Sequence, residues 1–173
     1  SKMSIYKNIR QYDIKIFKNK YQKISKNYES IIFYPNFENK KLDKIISKKL
    51  KKYKTFINHQ EAIFINVDFQ LTHLDENLSS FKILIKFFRE KEKNPYIIID
   101  SLNIDIKKEK EIYLKDLFNN NFDFKAFFSK RIKEKFINSK FINNFISIDD
   151  NQNFYIEDNE IKLFFQAGKY DTH

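Results

Sequence analysis

The sequence predicts an α+β domain: a mostly antiparallel sheet with two amphipathic helices packed on one face. Three observations carry this. Ile63, Ile65, Val67 and Phe69 alternate with Asn66, Asp68 and Gln70, the period-two pattern of a half-buried strand. Two stretches, 39–53 and 124–136, repeat apolar residues at helical spacing. The segments between strands are short, which favours neighbours running antiparallel.

In chain order, residues 1–11 are polar and are expected to form a flexible segment. Residues 12–173 are read as a single α+β domain, with two small halves dividing near 88–95 as the alternative. Tyr12, Ile14 and Ile16 begin a first strand, and 18–27 reads as a polar turn region. Tyr28–Tyr34 is strand-like and stops at Pro35, since proline cannot donate to a ladder. Leu42, Ile45, Ile46, Leu50 and Tyr53 then gather on one face of the first helix. After the strand at 63–70, residues 70–79 read as a loop, and Phe81–Phe87 as a further strand. Ile97, Ile98 and Ile99 are consecutive, which suggests a central strand buried on both faces.

The last third, 113–165, reads as scaffold. Leu114–Phe118 closes a short strand, and Asp123 stands where an N-cap would accept the free amides of a helical turn. Phe124, Phe127, Phe128, Ile132 and Phe136 are expected to form the buried stripe of that helix. Phe154 and Ile156 then face Ile161, Leu163 and Phe165 across an Asp-Asn turn, residues that tolerate hairpin backbone angles.

Composition narrows the chemistry. The 173 residues include 20 Phe and 10 Tyr, and 42% are apolar, so a core forms without staples. The single glycine, Gly168, leaves no glycine-rich loop to cradle phosphates. With no cysteine, thiol catalysis and thiolate metal sites are excluded. No stretch reaches the roughly 18–20 apolar residues of a bilayer span. No signal peptide is visible, so an exported form is expected to have lost its signal before Ser1. The net charge of +10 fits either a polyanion partner or the Lys-rich usage of an AT-rich genome.

The candidate sites are surfaces. Lys40, Lys41, Lys44, Lys48 and Lys52 line the back of the first helix, a candidate anion-binding surface whose alternative is a solvated helix back. His73, Asp75 and Glu76, with Lys91 and Lys93, mark candidate binding loops. One His with two acids and no second His one turn away is a poor metal set. His59 and His173 are weaker still. Asp149, Asp150 and Asp158 read as turn formers rather than a catalytic pair. Ser79 and Ser80 lack a base or an oxyanion-hole glycine nearby. No catalytic residue, metal or cofactor is assigned. An RNP-like or GXXG signature is absent, which disfavours nucleic acid.

The motif order resembles the paired extracytoplasmic domains of the RsiV anti-sigma factor and of the PdaC peptidoglycan deacetylase, where they lie beside the catalytic domain. The resemblance runs over about residues 12–168. Its motifs are Ile31–Phe37 (IIFYPNF), the helix NKKLDKIISKKL, the strand SSFKILIKFF, the step LKDLF and the hairpin FYIEDNEIKLFF. The Gly-Gly-Ala-His type turn frequent in that family reads EKEKNPYII here. The resemblance implies an extracytoplasmic sensor or binding domain, periplasmic or on a surface lipoprotein, held by a membrane tether outside this chain. It implies no activity of its own and a protein or cell-wall ligand as partner. RsiV-like domains bind lysozyme, but lysozymes are typically basic and a +10 chain repels them at long range. The expected function is a non-catalytic cell-envelope binding or sensing domain. The alternatives are a basic polyanion-binding module for nucleic acid, anionic lipid or glycan, and an unrecognised hydrolase.

Overall fold

The computed structural model describes residues 2–9, 14–58 and 62–166, with the backbone alone for 2–9. Its strands are β1 (Lys2–Ile9), β2 (Ile14–Ile24), β3 (Glu29–Asn36), β4 (Phe64–Leu74), β5 (Leu78–Phe88), β6 (Tyr96–Asp105), β7 (Lys110–Glu111), β8 (Phe154–Glu157) and β9 (Glu160–Leu163). The helices are α1 (Lys40–Asn58) and α2 (Phe124–Lys135), with short 3₁₀ turns at Leu114–Leu117 and Lys140–Asn143. The predicted class holds. β1 to β7 form one sheet in sequence order, antiparallel throughout except where α1 crosses over between the parallel pair β3 and β4. β8 and β9 form a separate two-stranded sheet.

Several boundaries differ from expectation. The N-terminal segment read as flexible is a strand over Lys2–Ile9, paired with β2. β2 runs on to Ile24, through what reads as a polar turn. Its lysines hid the strand, but Lys54 of α1 sits 4.1 Å from the Tyr21 ring centre and Lys23 bonds Asn58. β3 continues through Pro35 to Asn36. The loop read at 70–79 shrinks to three residues, because β4 extends to Leu74 and β5 begins at Leu78. Leu114–Leu117 is a 3₁₀ turn, held by the Asp116 carboxylate accepting the Tyr113 amide at 2.7 Å. Tyr12, Asp13, His59, Gly168 and His173 lie outside the described residues.

α1 starts where its sequence demands. The Asn39 side chain accepts the amides of Lys41 and Leu42 at 3.0 and 3.1 Å. Asp43 reaches back to the amides of Phe37 and Asn39, pinning the helix entry to the end of β3. Leu42, Ile46, Leu50, Tyr53 and Ile57 then bury one stripe against Ile65, Val67 and Phe69 of β4 and Phe81, Ile83, Ile85 and Phe87 of β5. Leu102 and Ile104 of β6 belong to the same core.

The second core is built differently. Leu114, Phe145, Ile148, Phe154 and Ile156 are its buried members, and Phe124, Phe128 and Ile132 of α2 pack on it. The serine and asparagine at positions 80 and 103 are register partners, and alternate with Phe81 and Leu102. They therefore point to the face away from α1. There the Ser80 hydroxyl donates to Asn103 Oδ1 at 2.6 Å and accepts the Ile156 amide at 2.8 Å. Asn103 Nδ2 donates to the Phe154 carbonyl at 2.9 Å. β8 is thus fixed by its edge to the sheet face opposite α1, and the two helices serve two cores rather than sharing one face.

Candidate functional site

All five lysines of the predicted anion surface lie on the solvent side of α1. Lys52 reaches Asp100 at 3.4 Å and Lys41 reaches Glu109 at 4.0 Å. Lys40, Lys44 and Lys48, one helical turn apart, pair with no carboxylate among the described residues.

The candidate loops are not brought together. His73, Asp75 and Glu76 sit at the β4–β5 turn, and Lys91 and Lys93 at the β5–β6 turn. β5, 11 residues long, separates them by roughly 30 Å. His73 lies in β4 itself, just past an irregularity in the β4–β5 register. Its Nε2 is 2.7 Å from Asp75 Oδ2, while Asp75 Oδ1 accepts the Asn77 and Leu78 amides. Burial pushes the Asp75 carboxyl up, but His73 and the two amides outweigh it and hold it below the usual range. These groups build the turn.

A polar cluster that sequence reasoning missed lies between α1 and β6. Asp100 Oδ2 accepts the Tyr53 hydroxyl at 2.6 Å and stands 3.3 Å from Lys49 and 3.4 Å from Lys52; Oδ1 accepts the Ser101 amide. The Asp100 and Lys49 side chains are only 15% and 16% exposed. Burial alone would raise the Asp100 carboxyl. The Lys49 charge, the Tyr53 hydroxyl, Lys52 and the Ser101 amide together hold it below the ordinary range. Burial, with Asp100 beside it, drives the Tyr53 phenol far up. A recess of about 220 Å³ adjoins, reached by Glu111, Tyr113 and Gln152. A shifted carboxylate in a recess is a site signature, but both oxygens of Asp100 are already engaged by the protein.

A large groove lies between α2 and β9 and measures about 650 Å³. It exists because α2 is apolar on more than one side. Only Ser129 of this helix is fully buried, with its Oγ accepting the Ile148 amide at 3.0 Å. The expected buried stripe is corrected accordingly: Phe124, Phe128 and Ile132 are half-buried, while Phe127 and Phe136 are 40% and 38% exposed. The Asp123 cap holds as predicted, accepting the Ala126 amide at 3.0 Å. The groove floor is Phe128, Ile132, Phe141, Leu163 and Phe165, with the Phe141 ring 5.4 Å from those of Phe136 and Phe165 and tilted against both. Its rim is basic. The Arg131 guanidinium lies 4.9 Å over Phe127 and Lys135 lies 5.6 Å over Phe136. No carboxylate pairs with either among the described residues, whereas Lys162 is matched by Glu160 at 2.7 Å. In the sequence this read as scaffold, because phenylalanines at helical spacing look the same whether covered or not. Ile137, exposed just past the helix, is the local sign that the apolar surface outruns its cover.

No helix among the described residues is long and apolar enough to cross a membrane. No protein-family model matches the chain, and no curated protein does. Solved structures similar in fold include two from one family. A DUF3298 family protein from Pseudomonas aeruginosa PAO1 superposes with a TM-score of 0.54 at 12% identity, covering 75% of this chain and 69% of its own. A member of the DUF3298 family from Bacteroides fragilis NCTC 9343 gives 0.55 at 11% identity, covering 86% and 81%. At that identity the likeness concerns the fold.

Proposed function

We propose that the chain is a non-catalytic binding or sensing domain of the cell envelope, recognising a protein or cell-wall ligand in the α2–β9 groove. The observation that carries this is the groove itself: an apolar floor, a rim on which Arg131 and Lys135 meet no carboxylate among the described residues, and a volume of about 650 Å³ within the range of ligand sites. Phe127, Phe136 and Ile137, exposed beside the groove, are the kind of apolar surface that marks a contact site. The motif order resembling RsiV- and PdaC-type domains supports an extracytoplasmic setting, periplasmic or on a surface lipoprotein. The fold-level likeness to DUF3298 proteins supports the domain architecture and carries no ligand. The clusters at Asp100 and His73 are taken as structural ties, and no reaction is assigned to them.

The test is retention. Immobilised domain is incubated with envelope extract, beside an Arg131→Glu/Lys135→Glu variant of unchanged fold by circular dichroism. Species held by the natural chain and released by the variant support the reading. Identical retention, or a purely cytosolic native protein on fractionation, would sink it.

A second reading has its own observation, the line of Lys40, Lys44 and Lys48 on α1. If this line holds polyanions, the chain binds heparin with an affinity that falls steeply with salt. Charge reversal of the three lysines should abolish that binding, and an unaltered salt slope would exclude this surface.

A further inference from the structure

We infer that the occupant of the α2–β9 groove is an extended polypeptide segment with alternating apolar and acidic side chains, which joins β9 as a third strand. This rests on the binding reading above and names the partner's chemistry. Asp158 and Asn159 both have positive φ, 53° and 59°, and Glu157 pairs with Glu160, so the turn has two residues. In such a hairpin the pairs at 157/160 and 155/162 exchange hydrogen bonds and those between them do not. The Phe164 amide donating to the Asn153 carbonyl continues the series. The backbone groups of Phe154, Ile156, Ile161 and Leu163 therefore point away from their partner strand.

On β8 those outward groups are visibly used, by Ser80 and Asn103. On β9 the outward N–H and C=O of Ile161 and Leu163 meet no partner among the described residues. They border the groove whose other wall is α2. A strand edge facing a helix across an apolar trough is the geometry in which extended peptides add to a sheet. A two-stranded sheet is also marginal alone and gains from a third strand. The added strand would set alternate side chains on Ile132 and Phe136. Arg131 and Lys135, without carboxylates of their own among the described residues, select acidic residues among the remainder. A fatty acyl chain would use the floor but neither the strand edge nor the alternation.

The probe is an acetylated, amidated heptapeptide alternating valine and glutamate, titrated by fluorescence polarisation. Two N-methylated isomers, carrying methyl groups on odd or on even residues, block opposite edges of the peptide. The inference expects one isomer to bind like the parent and the other to lose binding. Arg131→Glu/Lys135→Glu should weaken the parent peptide by about tenfold and gain affinity for a valine–lysine peptide. Equal behaviour of the two isomers overturns strand addition. So does tight binding of dodecanoate or phosphatidylglycerol vesicles without any peptide binding. If the peptides fail while envelope species are still released by the charge-reversed variant, strand addition falls and the groove reading stands. If neither responds, both fall.

Discussion

At the scale of single residues, the most instructive side chain is Asp100. It collects a phenol, two ammonium groups and an amide, and so ties α1 to β6 across a core that is otherwise apolar. Its sequence context, Ile-Ile-Ile-Asp-Ser, says only that an apolar run within a strand gives way to polar residues. The partners come from positions 49, 52 and 53, which no local pattern connects to it. Asp100→Asn keeps the size and removes the charge, and we expect it to cost about 2 kcal/mol at neutral pH, measured by urea unfolding. The sign with pH follows from its depressed carboxyl. Its contribution is present above the unfolded-state value of about 3.9 and is lost as pH falls through the lower folded value. The gap between natural chain and variant should therefore close below about pH 4; a gap that persists in acid would contradict the assignment.

At the scale of elements, α1 and α2 have similar sequence statistics and different fates. Both alternate Lys with apolar residues; the Asp123 cap was legible in the sequence, whereas the Asn39 cap emerges only in the structure. α1 was legible as far as Tyr53 because its apolar residues form one narrow stripe over the sheet, while its last turn, to Asn58 with the buried Ile57, was not read. α2 was misread because its phenylalanines surround the helix, and exposure depends on how much of β8 and β9 reaches them. β6 failed for a related reason. Three consecutive isoleucines fit a central strand, but β7 has only two residues, so Tyr96 and Ile97 are exposed at the sheet's edge. The central strands are β4 and β5. The His73 turn was found in place but read as open loop, since a register slip in β4 cannot be seen without the partner strand.

At the scale of the whole molecule, two cores of unequal size share one sheet. The first has α1 across its face and the second has α2 and a two-stranded sheet joined through Ser80 and Asn103. Fewer covered side chains mean a lower free energy of local opening. Amide hydrogen exchange should therefore release α2, β8 and β9 before α1, β4 and β5. Simultaneous release would mean that the Ser80–Asn103 link couples the two cores into one cooperative unit.

The outer side of β6 has a consequence for how copies of this chain behave in company. Edge strands are normally blunted by charge, proline or a bulge, and residues 96–99 carry none of the first two. Two side chains act as plugs instead: the Asp100 carboxylate takes the Ser101 amide, and the Gln166 amide donates to the Ile99 carbonyl. With these sockets filled, a neighbouring chain finds a broken template, and mutual repulsion at +10 keeps it distant. Colloidal behaviour is thereby entrusted to two short polar groups and to low ionic strength. A Gln166→Ala chain should self-associate more than its parent as salt screens the repulsion, and light scattering across a salt series would read this directly. Equal scattering by both chains would show that the plug at Ile99 is dispensable.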